Sequence, residues 1–583
     1  MYEETPSHNL YKIDDKGERT LLCNFTARIT HETRHVDGRT SELILTMEGR
    51  QSNPANEEEP ILFSPVDVPA SAYAGLGWVL NAWGASAVIQ PGSGTKDDIR
   101  TAIQTKSTPI QNTVYRHIGW TTIKKKRAYI HAGGAINEKG NDPTVQVLLP
   151  PELGRYQFDY DPKKTKEAFD AKLRLANVAP KPISWTLLAA TFAPLISDID
   201  FAVHVTGRTG TFKSELLSLF QSHYGPGMDA RHLPGSWSST ANALEAQAYL
   251  VKNAAFTIDD FVPAGTSWQI KSYQTTADKL IRAQGNQAGR ARLTDTSSLQ
   301  QTMYPRGLIL STGEDTPEGH SIRARMMILE LSPGDVDTED LTAAQLKRPI
   351  YNHTTAAFIR WIAATSPDTT KAVETLRQQY VDMGHNRTPS MLARLVVTIA
   401  TFLEWAKQSK LLTTADHAAA TKEAIESLKS AAGEQKQWLE DANPADQFLA
   451  TLRHALTAGL AHVRTLNGGI PRSPELLGWT QENTMGDVPT YRSHGPCLGW
   501  AAWNEDELYL DVVLGYNTVK KFAGTELALS KQTLLKRLKE ETVITRTDEA
   551  RQRNTIRITA EGHPRNVFCM SLSKLLQLEE SPL

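Results

Sequence analysis

The stretch Val205-Thr206-Gly207-Arg208-Thr209-Gly210-Thr211-Phe212-Lys213-Ser214 decides how this chain is read. An apolar run, Phe201 to Val205, leads into it, and an amphipathic helical stretch, Glu215 to His223, leaves it. A glycine-bearing turn between strand and helix lets backbone N–H groups converge on phosphate oxygens. In that frame Gly207 to Ser214 cradles a triphosphate. The Lys213 ammonium reaches the β- and γ-phosphates, and the Ser214 hydroxyl holds Mg²⁺. The general pattern wants Gly just before the lysine, and here that residue is Phe212. The spacing from Gly207 to Lys213 is intact, and Gly210 supplies inner flexibility. Phe212 is expected to hold ordinary helical backbone angles.

Companions follow in order. Ala254 to Ile258 reads as a buried strand ending in Asp259-Asp260, 46 and 47 residues after Lys213. That leaves room for one helix and one further strand. Asp259 is expected in the Mg²⁺ shell, and Asp260 is expected to polarise the attacking water. Leu308-Ile309-Leu310 is a third strand, ending in Ser311 and Thr312, either of which suits a γ-phosphate or water contact. Arg323 and Arg325 precede a fourth apolar run, Met326 to Leu331. An arginine offered to a neighbour's nucleotide stabilises transition-state charge. Singly, an acidic pair is a solvated turn and two arginines are surface charge; their order along the chain is what points to ATP hydrolysis. Pro91-Gly92-Ser93-Gly94-Thr95-Lys96 is a decoy, because Asp97-Asp98 follow its lysine where a hydroxyl is needed. It reads as a structural turn.

Bulk properties bound the rest. The chain has 583 residues, with 63 Lys+Arg against 65 Asp+Glu and a formal net charge of −2. A near-neutral total argues against coating nucleic acid along the whole length, while leaving room for local basic patches. The three cysteines, Cys23, Cys497 and Cys569, form no CxxC pair, so neither a zinc site nor a disulfide framework is expected. No apolar run approaches the ~20 residues that cross a bilayer. The polar, acidic N-terminus is no signal peptide. Asn24-Phe25-Thr26 is then a chance sequon. A cytoplasmic protein with no membrane partner is expected.

The pattern along the chain suggests four parts: an N-terminal α+β domain over 1–180, an α/β core with a parallel sheet over 181–340, a helical lid or connector over 341–465, and a C-terminal domain over 466–583. In the last, Tyr516–Gly524 and Ser530–Glu540 read as helices, Ser530 capping the second. Strands Thr555–Thr559 and Val567–Leu572 follow, in winged-helix order. Lys536 and Arg537 on the second helix are candidate DNA contacts, with protein docking as the other use of this shape. A second candidate is the glycine-rich basic segment Lys279 to Arg292, carrying Arg282, Arg290 and Arg292, just before the hydroxyl strand. A hairpin there would grip DNA phosphates inside a ring, independently of sequence.

Gly207–Glu215 (GRTGTFKSE), Tyr224–Glu245, the Asp-Asp strand, Leu308–Asp315 (LILSTGED) and Ser321–Arg325 (SIRAR) resemble the family catalogued as domain of unknown function 927. Asn24–Arg28 and His131–Ile136 resemble it too. The resemblance covers about residues 20–335. The family's members look like helicases of bacterial mobile elements and plasmids, and the resemblance implies an α/β P-loop core of AAA+ type, related to replicative helicases that assemble as hexamers. Carried over by position, Lys213 and Ser214 bind phosphate and Mg²⁺, Asp259 and Asp260 form the acidic motif, Ser311 or Thr312 takes the sensor role, and Arg323 or Arg325 the finger role. The expected function is ATP-driven translocation on DNA, with DNA replication as its setting. The alternative is a DNA-binding initiator or loader whose ATP site drives assembly without unwinding.

Overall fold

The computed structural model describes every residue except 57–58, 290–291, 294–298, 301, 384–386, 441–442, 483–488, 524–529, 552 and 578–583. At its centre lies a five-stranded parallel sheet. Its strands are β1 (Ala202–Gly207), β2 (Gly235–Ser236), β3 (Ala255–Phe261), β4 (Leu308–Gly313) and β5 (Met326–Leu331), in the spatial order β2-β3-β4-β1-β5. β1 and β4 are buried at every position. Continuous apolar runs, not alternation, are what a sheet covered on both faces demands. Three longer helices lie between these strands in sequence, α1 (Lys213–Gln221), α2 (Ala241–Leu250) and α3 (Ser267–Asn286), with a single helical turn, His320–Arg323, before β5. Thr266 caps α3 through a reciprocal capping box with Gln269.

Because the sheet is parallel, all strand C-termini share one edge. Gly207 lies opposite Leu331, and Ser311 lies opposite Ile258. Loops leaving β1, β3 and β4 therefore converge there, as ligand sites do in open parallel sheets. The other edge receives the C-terminal end of α3: Gln284 Nε2 donates to the carbonyls of Ile199 and Gly307 at 2.8 and 2.7 Å. A two-stranded hairpin, Arg292–Leu293 against Leu299–Gln300, sits between α3 and β4.

The N-terminal part is built of three sheets. The largest has five strands, with Phe25–Val36 paired to Ser41–Gln51 and to Ile110–Tyr115. In the Pro91–Lys96 stretch Ser93 and Gly94 form a turn, Gly94 left-handed, and Thr95 opens the helix Thr95–Lys106. Asn24 of the sequon accepts from Val88 N and donates to the Ser86 carbonyl.

Helices Lys181–Ile196 and Thr414–Glu440 pack against the central sheet, Thr388–Gln408 packs on both of them, and Tyr351–Thr365 lies on the helix Thr165–Arg174 and on the strands Lys126–His131 and Gly134–Asn137. Phe192 stacks on Phe402 there, ring centroids 4.2 Å apart. Thr388–Gln408 is long and apolar enough to cross a membrane, which the reading by apolar runs did not register, yet 72% of its apolar window is buried in this layer. The C-terminal core spans Ala445 to Leu575, so the helix Pro444–Thr457 packs with it. Its last elements run helix Leu514–Ala523, helix Lys531–Glu540, strand Ile544–Arg546, the hairpin Ile556–Ala560/His563–Ser571 and the short helix Leu572–Leu576. Ser530 caps the second helix by accepting from Thr533 N.

Candidate functional site

The loop between β1 and α1 owes its path to two residues of opposite character. A Cβ on Gly207 would stand 2.3 Å from the Leu331 carbonyl oxygen, so glycine is what lets β1 close against β5. Phe212, by contrast, takes left-handed angles, φ 63° and ψ 22°. The expectation of helical angles is therefore corrected: Lys213, not Phe212, opens the helix. An L-residue in that region costs about 1–2 kcal/mol. The loop tolerates it because the ring projects outward, 42% exposed, and the turn is closed from within. Thr211 Oγ1 donates to the Arg208 carbonyl at 2.9 Å. Lys213 Nζ donates to the carbonyls of Gly207 and Arg208 at 2.7 and 2.9 Å. Gly210 supplies a second left-handed position, φ 85°. Arg208 and Thr209 lie exposed.

The acids arrive through a β-bulge. Ile258 pairs with Ser311 and Phe261 with Gly313, so Asp259 and Asp260 together face one residue, Thr312. Bulges re-aim side chains. Here Asp260 takes φ 69°, and Asp259 turns to the loop. Ser214 Oγ donates to Asp259 Oδ1 at 2.8 Å, and the Thr312 hydroxyl donates to the same oxygen. Asp260 N donates to Thr312 Oγ1 at 3.0 Å. Burial raises the Asp260 carboxyl above its ordinary range; Asp259 and Glu314 add to this and Lys213 opposes it. Burial lowers the Lys213 ammonium, opposed by Glu314, Asp259 and Asp260.

Ser311 and Thr312 part company, as neighbours on a strand must. Ser311 faces the other way, accepting from Trp237 Nε1 at 2.9 Å and lying 2.9 Å from His204 Nδ1. His204 Nε2 lies 2.9 Å from the Asp315 carbonyl, which can only accept. The proton is therefore on Nε2, and Ser311 donates to Nδ1. Burial lowers His204 to about 4, keeping it neutral.

Glu314 is a site residue the sequence reading missed. It accepts from the Thr209 hydroxyl, so it reaches across the mouth of the loop. Its signal was its position two residues beyond Thr312, at the same strand end.

Arg323 and Arg325 stand elsewhere. β5 begins at Met326 opposite Ala202, whereas the loop leaves β1 at Gly207 opposite Leu331. Five residues at ~3.3 Å each put the start of β5, next to Arg325, roughly 16 Å from the loop along the strand. Arg323 Nε donates to the Pro317 carbonyl at 3.3 Å and faces the Trp438 ring. Arg325 donates to Ser321 and Asn286. Arg282 pairs with Asp278 at 2.6 Å and reaches Ser321 Oγ at 3.1 Å. Arg290 and the side chain of Arg292 lie outside the described residues. Lys536 and Arg537 are well exposed, ion-paired to Glu540 at 3.8 and 2.9 Å.

Among the described residues no three His, Cys, Asp or Glu side chains gather to hold a metal. A hard cation that keeps its waters and a substrate's phosphates needs fewer protein ligands, and one hydroxyl with one carboxylate meets that need.

Residues 86–301 match the model of the domain of unknown function 927. The match takes in the loop and both acids and ends before Thr312. No curated protein matches the chain. The solved structure of Cch, an active helicase of SCCmec type IV, superposes with a TM-score of 0.53 at 12% identity, covering 99% of each chain. The two share a fold. The A-form apo structure of the NrS-1 C-terminal region aligns at 9% identity over 68% of this chain and 88% of its own, with a TM-score of 0.22.

Proposed function

We propose that this chain is an ATP-dependent DNA translocase and helicase of a mobile genetic element, built on a P-loop core of AAA+ type and working as a homo-oligomeric ring, a hexamer. One observation carries the reading. Ser214 at the head of α1 and Asp259 at the end of β3 meet at 2.8 Å, joined by Thr312 from the intervening strand. Three separate elements thus bring two hydroxyls and a carboxylate to the mouth of one glycine loop.

In this reading the N–H groups opening α1 face the triphosphate, and the ammonium of Lys213 leaves the loop carbonyls for phosphate oxygens. Ser214 and Asp259 would hold Mg²⁺, which when bound neutralises charge on the β- and γ-phosphates. Asp260, its carboxyl raised by burial and by neighbouring charge, takes up a proton from the attacking water. Thr312 holds Asp259 and the Asp260 backbone in register. Arg323 or Arg325 serves a neighbour's site, and Arg325 stands at the sheet edge away from its own loop. The hairpin at 292–300 grips DNA in the ring's bore, and the C-terminal helix pair and hairpin act as a winged helix whose Lys536 and Arg537 contact phosphates. The share of fold with an active helicase supports the reading.

Strand displacement on forked DNA tests it. Wild-type protein with ATP and Mg²⁺ should release the strand, and Lys213→Ala should neither unwind nor hydrolyse. ATP hydrolysis retained in Lys213→Ala would remove the loop from its role. Hydrolysis without displacement would leave an ATP-driven loader.

A further inference from the structure

Three guanidinium groups gather where the C-terminal end of α3 meets the turn before β5. Arg325 donates to the Ser321 carbonyl at 2.6 Å, to the Ser321 hydroxyl at 2.7 Å, and to Asn286 Oδ1 at 3.0 Å. Arg282 donates to that same hydroxyl at 3.1 Å. Arg387, from the helical layer, donates to the Gly285 carbonyl at 3.2 Å. Burial lowers the Arg325 pKa, and the nearby charges of Arg387 and Arg282 lower it further.

The fold accommodates this gathering at a cost. A Cβ at Gly285 would lie 2.5 Å from Arg325 Cδ and 2.9 Å from its Nε. Glycine inside a helix sacrifices roughly 0.5–1 kcal/mol relative to alanine. Here its absence of a side chain opens the track on which Arg325 crosses α3. The hydrogen-bond acceptors of Arg325 are all neutral; the one carboxylate of the cluster, Asp278, pairs with Arg282 at 2.6 Å and opposes the lowering of Arg325, so a phosphate would displace it from Arg282. Two planar forks fixed to one serine hydroxyl match the oxygens of a phosphate group, which guanidinium binds in bidentate fashion.

We propose that Arg282 acts with Arg325 as a two-guanidinium clamp on the terminal phosphate of a nucleoside triphosphate held by the loop of a second copy of this chain. The inference rests on the reading above and deepens it. It moves Arg282 from the DNA contacts to the nucleotide site. The cluster lies at the sheet edge opposite its own loop, so its own nucleotide is out of reach, and an adjacent subunit must bring the phosphate. Ser321 and Asn286 are positioning residues, and Gly285 clears the space.

Subunit mixing tests this. Arg282→Ala keeps an intact loop, so it should bind a fluorescent ATP analogue as wild type does while hydrolysing about tenfold slower or worse. Arg282→Lys keeps the charge but loses the fork, and should assemble as wild type while hydrolysing little better than Arg282→Ala. Lys213→Ala keeps the arginines and lacks the loop's lysine. Mixed Arg282→Ala and Lys213→Ala should hydrolyse several-fold faster than either alone, because wherever the loop of an Arg282→Ala subunit meets the arginines of a Lys213→Ala subunit the site is whole. No gain on mixing, or a wild-type rate in Arg282→Ala, overturns the clamp. Weakened DNA binding in Arg282→Ala at an unchanged hydrolysis rate also overturns it and returns the residue to DNA. If wild-type protein itself hydrolyses no ATP, the broader reading fails and not the clamp alone.

Discussion

Replacing Phe212 tests whether the loop is held in a conformation its own residue resists. At φ 63° and ψ 22° an L-side chain is in the left-handed region, at a cost of about 1–2 kcal/mol. Glycine escapes that cost but loses roughly 0.5–1 kcal/mol more chain entropy on folding. The informative comparison is Phe212→Ala against Phe212→Gly. Both lose the half-exposed ring, so its packing cancels; alanine keeps the strained Cβ and glycine does not. Glycine should therefore be the more stable of the two by about 0.5–1 kcal/mol, whereas at a helical position alanine would win by a similar margin. In a cooperative unit of ~150–250 residues that difference moves the melting temperature by roughly 1–4 °C. Thermal unfolding followed by circular dichroism, without nucleotide, reads it. An alanine variant that melts at or above the glycine variant would mean that α1 begins one residue earlier, with Phe212 at helical angles.

Two further outcomes follow from charge. His204 is neutral when folded, lowered by burial from 6.5 to about 4, whereas the unfolded chain protonates it below 6.5. The unfolded state thus binds the extra proton, and the stability His204 contributes above 6.5 is lost as pH falls from there toward 4. The urea midpoint of His204→Gln should drop less than that of wild type between about pH 7 and about pH 5; equal drops would refute the assignment. Replacing Lys536 and Arg537 with Ala should weaken DNA binding uniformly across sequences and flatten the salt dependence by about two units of log–log slope. An unchanged slope would give that helix to a protein partner.

What the sequence made legible was whatever local pattern controls. The loop, its flanking strand and helix, and the acid pair stand in a fixed order, and a parallel sheet delivers such ends to one edge. The Ser530 cap and the C-terminal hairpin were readable for the same local reason. Phe212 was misread because nothing local announces a left-handed phenylalanine. It is imposed by the closure of β1 on β5 at Gly207 and by Lys213 reaching back to Gly207 and Arg208. Glu314 went unread because its use depends on Thr209, over a hundred residues earlier, approaching from another loop. Thr312 and Ser311 could be separated only by the register that turns one to Asp259 and the other to His204 and Trp237.

That register also bears on how two sites on opposite edges of one sheet would act together. Thr312 touches Asp259 at the chain's own loop, and thirteen residues later Arg325 stands at the opposite edge of the sheet. The segment between them is tied at intervals: Glu314 N to the Phe261 carbonyl, Glu318 N to Gln274, and Ser321 to both Arg282 and Arg325. The start of β4 is tied as well. Arg306 stacks on Tyr249 at 3.7 Å and donates to the carbonyls of Tyr249 and Asp37, the latter in a turn of the N-terminal part. On the proposed reading, a shift of β4 on nucleotide turnover would pull on this segment at one end and on the N-terminal joint at the other. Hairpin 292–300 lies immediately before that joint in sequence, so the hydroxyl strand is the element best placed to pass a change at the triphosphate to whatever the hairpin grips.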